Sequence, residues 1–384
     1  MPKILYIHQY FKSPADGGSL RSYYLARALS AHFQVTMITA YNGSTRHKKN
    51  VDGIDVVYLP VAYANEMSFS RRGWAFVRFM ILAMLESCRH RNIDLCYVMT
   101  TPLSTGVVAL FNKWVLGRKY IFEVGDLWPQ VPIDMGLLQG VWKQKMLKVA
   151  ERLFYQKASG LVGLSEPITA YLQSVAPAVS CETVYNIADC DRFIPASKNR
   201  IQNQFVISYT GTFGLANDLA QIIDWAEAVQ DLPVRFVLVG DGAEKLKVTE
   251  WVKTKGLNHV AIYDTMGKEE VQEVVNATDA MLVSFADVPS LHTGSPNKFF
   301  DALAAGKLVV TNFGGWIGDL IVREKCGFFA SSPAAFREQL EVFLSDKEQL
   351  QTYQSNARQL AEERYSLAIQ SSVQMDYIVR ILTK

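Results

Sequence analysis

The chain is poor in the residues that build covalent or metal-bound frameworks. It has five cysteines in 384 residues, Cys88, Cys96, Cys181, Cys190 and Cys326, and no two form a CxxC. An odd count without close pairs argues against both a disulfide framework and a structural zinc site, and it fits a reducing compartment. The six histidines do not cluster. HExxH, GxSxG and Walker loops are missing and no paired Asp-x-Asp is expected, so metal-dependent and Ser-His-Asp chemistries lose support. No run of about 18 uncharged apolar residues occurs, which leaves no recognisable spanning helix. MPKILYIHQYF leads directly into a strand pattern, so no signal peptide is expected. Fixed-period repeats and low-complexity tracts are lacking as well.

What is present is a length for two domains of roughly 190 residues each. Apolar residues make up 49% and charged residues 20%, enough for two buried cores and too little charge for a disordered chain. The net charge of +2 hides an asymmetry. Residues 1–195 hold 21 Lys and Arg against 14 Asp and Glu, and the remainder holds 18 against 23. A basic half suggests an anionic partner: nucleic acid, a phospholipid surface or a pyrophosphate-bearing acceptor.

Short apolar runs at 4–8, 34–39, 54–58, 95–99, 120–124 and 161–164 read as strands covered on both faces. Helical stretches such as 19–31 and 142–157 separate them. The pattern restarts at 205–209, 235–239, 259–263, 280–284 and 308–311, with helices at 218–229, 244–255, 268–276 and 298–305. From Pro333 the chain reads as helical to its end. The Pro-, Asn- and Lys-bearing stretch 194–204 reads as a linker. The expected fold class is therefore α/β, two doubly wound parallel-sheet domains spanning 1–195 and 196–384. Ligands in such sheets bind beyond the carboxyl ends of strands, and two sheets facing one another make a cleft.

The motifs follow strands. Gly17 and Gly18 precede a helix for which Ser19 is the expected cap, an arrangement that admits an anion or simply a capped loop. The spacing is not GxGxxG and no acid ends the second strand, which disfavours a dinucleotide. EVGDLWPQ places Asp126 beside Trp128; a carboxylate next to an indole suits a sugar, and a core tryptophan with a turn-capping aspartate is the plainer reading. TGTFGLAND offers Gly211 and Thr212 as a small-residue phosphate cradle, and Gly240-Asp241-Gly242 reads first as a tight turn. TGSPNKFFDALAAGKLVVTN is the most specific. Ser295 could cap a helix with Pro296 at its first position, and Lys298 and Asp301 would share one helix face. A first-turn lysine is placed to hold a pyrophosphate, and a solvated Lys–Asp pair is the alternative. Residues 71–91 and 142–157 combine Arg and Lys with Trp, Phe and Met, which suits interfacial binding to anionic lipid as well as a core helix with basic ends.

Taken together, HQYF…GGSLR, GDLWPQ, VYNIADCDRF, TGTFG, GDG and SPNKFFDALAAGKLVV resemble the family-4 retaining glycosyltransferases of the GT-B fold over essentially the whole chain. Within that family the resemblance is to the bacterial surface-polysaccharide and O-antigen branch, the fucosamine-transferase-like group. It implies a UDP-linked N-acetylhexosamine-type donor held mainly by the second domain. The phosphates would meet Gly17, Gly18, Thr212, Ser295, Asn297 and Lys298, and the base would lie near Tyr263 to Met266 and Gly267. Gly211, Gly240 and Asp241 complete the expected donor set, with Asp126, Lys298 and Asp301 as catalytic residues. The acceptor would be polyprenyl-pyrophosphate-linked or another membrane glycan, at the inner face of a plasma membrane, without metal, cofactor or nucleic acid. Asp301 stands where the family carries its second glutamate, and Thr293 stands in place of the first. The last helix is expected to return to the first domain. A sugar-nucleotide epimerase, a non-catalytic nucleotide-sugar binder and a nucleic-acid binder are the competing readings.

Overall fold

The computed structural model describes residues 1–15, 20–64, 67–195 and 204–383. It divides into two compact units, Met1–Tyr185 with Gln370–Lys384, and Asn186–Ile369. The division precedes the stretch 194–204, of which residues 196–203 lie outside the described ones. Composition marks where a chain is polar; the change of packing partners falls earlier, at Tyr185.

The first unit is built on β1 (Lys3–Ile7), β2 (Gln34–Tyr41), β3 (His47–Val51), β4 (Ile54–Pro60), β5 (Leu95–Met99), β6 (Lys119–Val124), β7 (Gly160–Gly163) and β8 (Cys181–Thr183). Their order is β3-β4-β2-β1-β5-β6-β7-β8. All neighbours are parallel except β3 and β4. β3 is a departure from the all-parallel expectation. Its sequence HKKNV is almost wholly exposed, so no apolar run announces it. The signal is in the turn: Val51 pairs with Ile54 across Asp52-Gly53, both at positive φ, the two-residue hairpin that Asp-Gly favours. Leu5, Ile7, Val57, Val98 and Phe122 form the core with Val108 and Phe154 from the covering helices.

The second unit contains β9 (Phe205–Thr210), β10 (Val234–Val239), β11 (Val260–Tyr263), β12 (Ala280–Val283), β13 (Leu308–Thr311) and β14 (Gly327–Phe329), in the order β11-β10-β9-β12-β13-β14. Every pairing is parallel. Phe236, Leu238 and Phe336 pack with Trp225, whose ring stacks on Phe336 at 4.5 Å between centroids. Fully burying each such side chain contributes roughly 1.5–3 kcal/mol. The tail is helical as the sequence predicts, over Pro333–Ser345, Lys347–Leu360 and Leu367–Thr383. Ser332 and Asp346 cap the first two.

Both sheets reverse their strand order at an inner strand, at β1 between β2 and β5 and at β9 between β10 and β12. The carboxyl ends of those strands are where an open α/β sheet leaves a crevice for a ligand.

Candidate functional site

In the second unit, the loops after β9 and β10 lock together at that point. Gly211 N donates to Val239 O at 3.0 Å, Phe213 N to Asp241 O at 2.8 Å, and Glu244 N to Phe213 O at 2.9 Å. A Cβ on Gly240, at φ +153°, would stand 1.8 Å from Gly211 O, so the loops close only because residue 240 has no side chain. Asp241 is exposed and its carboxylate accepts from Gly242 N at 2.8 Å, a turn contact.

Lys298 fills the space beside Gly211. It is the second residue of the helix Asn297–Ala304, half-buried, and donates to Tyr209 Oη at 2.9 Å and Asn217 Oδ1 at 3.2 Å. Its Nζ also lies 4.0 Å from the centroid of the Tyr209 ring. Among the described residues no carboxylate forms an ion pair with it. Burial pulls the ammonium down to about 7. Tyr209 and Asn217 escaped the sequence reading. A tyrosine near the end of a buried strand looks like core, and only the fold brings it to the lysine.

The structure corrects the expected cap. The helix begins at Asn297, Pro296 occupies the capping position, and no side chain caps it. The Ser295 hydroxyl is buried with no hydrogen-bond partner, as are those of Ser284 and Ser290 earlier in the same strand-to-helix connection. Three orphaned hydroxyls within one strand-to-helix connection are unusual in a finished core. The Ser295 carbonyl accepts from Asn186 Nδ2, which ties VYNIADCDRF to this loop. Thr293 Oγ1 donates to Ser290 O at 2.8 Å.

Asp301 lies one turn beyond Lys298 but the two do not pair. Burial pushes its carboxyl up to about 7, opposed by Arg192 and reinforced by Asp189. The expectation that the chain carries no Asp-x-Asp is wrong: Asp189-Cys190-Asp191 is one. Asp189 spends an oxygen on Arg192 N at 3.1 Å, and no cluster of three metal-type ligands occurs among the described residues. Met266 packs under the sheet against Val206, Val237 and Val239, so its side chain serves the core. Gly267 N donates to Glu270 Oε2 at 2.8 Å at the start of the following helix.

In the first unit, Gly17, Gly18 and Ser19 lie outside the described residues. The helix that follows spans Arg21–Ser30 and buries Arg21 against Glu123 at 2.9 Å, with Val184 O taking a second guanidinium hydrogen bond at 2.9 Å and Tyr97 donating to Glu123. A glutamate inside the apolar run YIFEV was the available signal for this buried pair. His8 Nδ1 lies 2.9 Å from Ser22 Oγ, and burial followed by the Arg21 charge draws its ring down to about 3, so it is neutral. Asp126 is exposed on the loop after β6. Trp128 packs on the first core and lines an apolar pocket.

The basic segments are helices Phe69–Arg89 and Val141–Gln156. The first turns Ala75, Phe79 and Ala83 inward and leaves Trp74 66% and Leu85 57% exposed, with Arg71 and Arg78. Its one acid, Glu86, is buried; burial opposes ionisation, but hydrogen bonds from Arg46 and Arg89 prevail and hold it at about 2. The outer face is therefore cationic and apolar. The second helix exposes Trp142, Met146 and Val149 beside Lys145, Lys148 and Arg152. No helix among the described residues is long and apolar enough to cross a membrane.

Two Rossmann-like parallel sheets with these strand-end loops define the GT-B fold. Residues 16–186 match the family described as glycosyl transferase 4-like domain, and residues 191–360 match glycosyl transferases group 1. The chain belongs to the group 1 glycosyltransferases, with a 4-like amino-terminal domain. An uncharacterized glycosyltransferase of Methanocaldococcus jannaschii is 24% identical over 139 residues, 36% of this chain and 38% of that protein. The putative colanic acid biosynthesis glycosyl transferase WcaI of Escherichia coli K12 is 25% identical over 101 residues, 26% of this chain and 24% of that one. The chain thus spans well under half the length of the curated relatives it matches. Sucrose-phosphate synthase from Thermosynechococcus elongatus superposes with a TM-score of 0.78 at 17% identity, covering 100% of this chain and 99% of that one. Anabaena HepE in complex with UDP gives 0.71 at 18%, covering 98% and 100%.

Proposed function

We propose that the chain is a retaining, metal-independent glycosyltransferase that moves a sugar of N-acetylhexosamine type from a UDP-sugar to a lipid-linked acceptor in bacterial surface-polysaccharide synthesis. The observation that carries this is Lys298: a half-buried ammonium without an anionic partner among the described residues, at the first turn of a helix that follows the orphaned Ser295 hydroxyl, and against Gly211 of the glycine loop. A diphosphate supplies the missing charge and the missing acceptors at once. In this reading Lys298, Thr212, Ser295 and Asn297 hold the diphosphate and neutralise it as the glycosidic bond breaks, the work a metal does elsewhere. Asp301 is the second catalytic residue of this reading, on the same helix as Lys298. The acceptor loses its proton to the leaving phosphate, so no protein nucleophile is needed. The group 1 match supports the donor class, HepE with UDP supports the base, and the colanic acid relative supports the polysaccharide setting. The cationic, apolar outer faces of helices Phe69–Arg89 and Val141–Gln156 support work on an anionic membrane surface, at its cytoplasmic side.

The test is thermal stability against UDP, GDP, ADP and TDP, with and without magnesium. UDP at a hundred times its Kd should stabilise the fold by about 2.7 kcal/mol, with no need of magnesium. Lys298→Ala should weaken UDP binding roughly 10–100-fold, the range for losing charge-assisted hydrogen bonds. Unchanged UDP affinity in that variant would remove the lysine from the donor site, and no shift with any nucleotide would refute the reading.

A further inference from the structure

The first unit contains a pocket of about 660 Å³ that the donor site does not use. Its walls come from strand ends and from both basic helices. Tyr10 follows β1, Tyr63 follows β4 and Trp128 follows β6, while Arg72 and Phe76 come from helix Phe69–Arg89 and Leu147 from helix Val141–Gln156. Tyr10, Tyr63 and Phe76 form an aromatic ladder, with centroids 5.0 and 5.7 Å apart. The volume is that of a small-molecule site, about 300–1,000 Å³.

The lining chemistry is selective. Among the described residues it contains no Asp, Glu, Asn or Gln; Thr101, Arg72, Trp128 and the two tyrosines supply its few polar side-chain atoms, too few for all the hydroxyls of a sugar, and each group left unsatisfied costs about 1–3 kcal/mol. One cation belongs to the lining, Arg72, and its Nε is buried with no hydrogen-bond partner. A guanidinium donor left unsatisfied in an apolar wall asks for an anion at one end of a hydrocarbon. The same two helices turn Trp74 and Ile81, and Trp142 and Met146, outward among Arg71, Arg78, Lys145 and Lys148. Elements that line the pocket on one side thus present a lipid-compatible face on the other.

We propose that this pocket receives the hydrocarbon chain of a lipid phosphate acceptor, with Arg72 taking the phosphate at its head. The proposal rests on the transferase reading and specifies which part of the acceptor the first unit grips. Gly73, also in the lining, gives a clean variant, because a Cβ added there meets no atom within 4 Å. Gly73→Phe therefore fills the cavity without forcing the backbone.

The experiment is calorimetric titration of the full-length chain, saturated with UDP, with farnesyl phosphate, farnesol, dodecanoate and inorganic phosphate. Farnesyl phosphate should bind and inorganic phosphate should not compete with it. Gly73→Phe should abolish farnesyl phosphate binding while keeping the wild-type Tm and UDP stabilisation. Arg72→Gln should weaken farnesyl phosphate roughly tenfold or more and leave farnesol unchanged. Undiminished binding to Gly73→Phe, or none to the wild type, would overturn the proposal. So would displacement by inorganic phosphate alone, which marks a bare anion site, or dodecanoate binding as tightly as farnesyl phosphate. Binding of farnesyl phosphate by a chain that UDP fails to stabilise would keep the pocket and refute only the donor assignment.

Discussion

Lys298 and Asp301 sit one helical turn apart and answer to different surroundings. The lysine reaches Tyr209 and Asn217, and burial lowers it to about 7 from an ordinary 10.5; the aspartate is raised to about 7 by burial, with Arg192 opposing and Asp189 adding to the rise. Because the folded ammonium has the lower pKa, the native state binds fewer protons than the unfolded chain between about 7 and 10.5, and this group's contribution to stability rises with pH across that window. For Asp301 the native state binds more protons between 3.8 and about 7, so its contribution falls as pH rises there. Donor binding inverts the lysine's preference, since a diphosphate favours the charged form. UDP affinity should therefore decline above pH 7, by up to about tenfold per pH unit, because each binding event takes up a proton. The phosphate itself is fully ionised there, with a second pKa of about 6. Calorimetry in buffers of different ionisation enthalpy would show that proton. A flat pH profile, or the same slope in Lys298→Ala, would contradict it.

At the scale of the element, the proposed donor site depends on two loops that interlock through main-chain hydrogen bonds. Gly240→Ala places a methyl group onto Gly211 O and into a backbone region that alanine avoids. We expect it to lower stability by about 2 kcal/mol or more and to weaken UDP binding together with it. A variant with wild-type Tm would mean that the loops are looser than their hydrogen bonds imply. The basic helices make a separate prediction. Reversing Arg71 and Arg78 to glutamate should abolish binding to vesicles containing anionic lipid and leave UDP stabilisation intact, since each surface cation near such a membrane is worth about 1 kcal/mol. Retained vesicle binding would refute the interfacial role. Elements such as helix Phe69–Arg89 were legible as amphipathic and basic from the sequence. That Glu86 turns inward, leaving the outer face cationic, was not, because its partner Arg46 lies 40 residues away.

At the scale of the molecule, the carboxyl-terminal helix belongs with the first unit although the chain has passed through the second. Tyr377 anchors it. Its buried hydroxyl accepts from Leu161 N at 3.0 Å and donates to Ser180 O, and Ile378 and Ile381 are buried beside it. Tyr377→Ala should cost about 3–5 kcal/mol. Hydrogen exchange should then quicken in β5, β6 and β7 while β9 and β10 stay protected. Equal loss in both sheets would mean that the units unfold as one.

The sequence by itself determined the class of fold and most of its strands, because a strand buried on both faces must be apolar and local. β5 and β13 were read to the residue, as 95–99 and 308–311. It also determined the specific motif around Lys298, because a lysine in the first turn of a helix after a buried strand is a local pattern. Tertiary structure decided what the pattern could not contain: that Ser295 caps nothing and stands orphaned, that Lys298 turns to Tyr209 and away from Asp301, that Trp128 lines a pocket, and that β3 adds an antiparallel edge. Each of these depends on groups far apart in the chain. Periodicity reports which side of an element is buried, and only folding decides which side chains meet there.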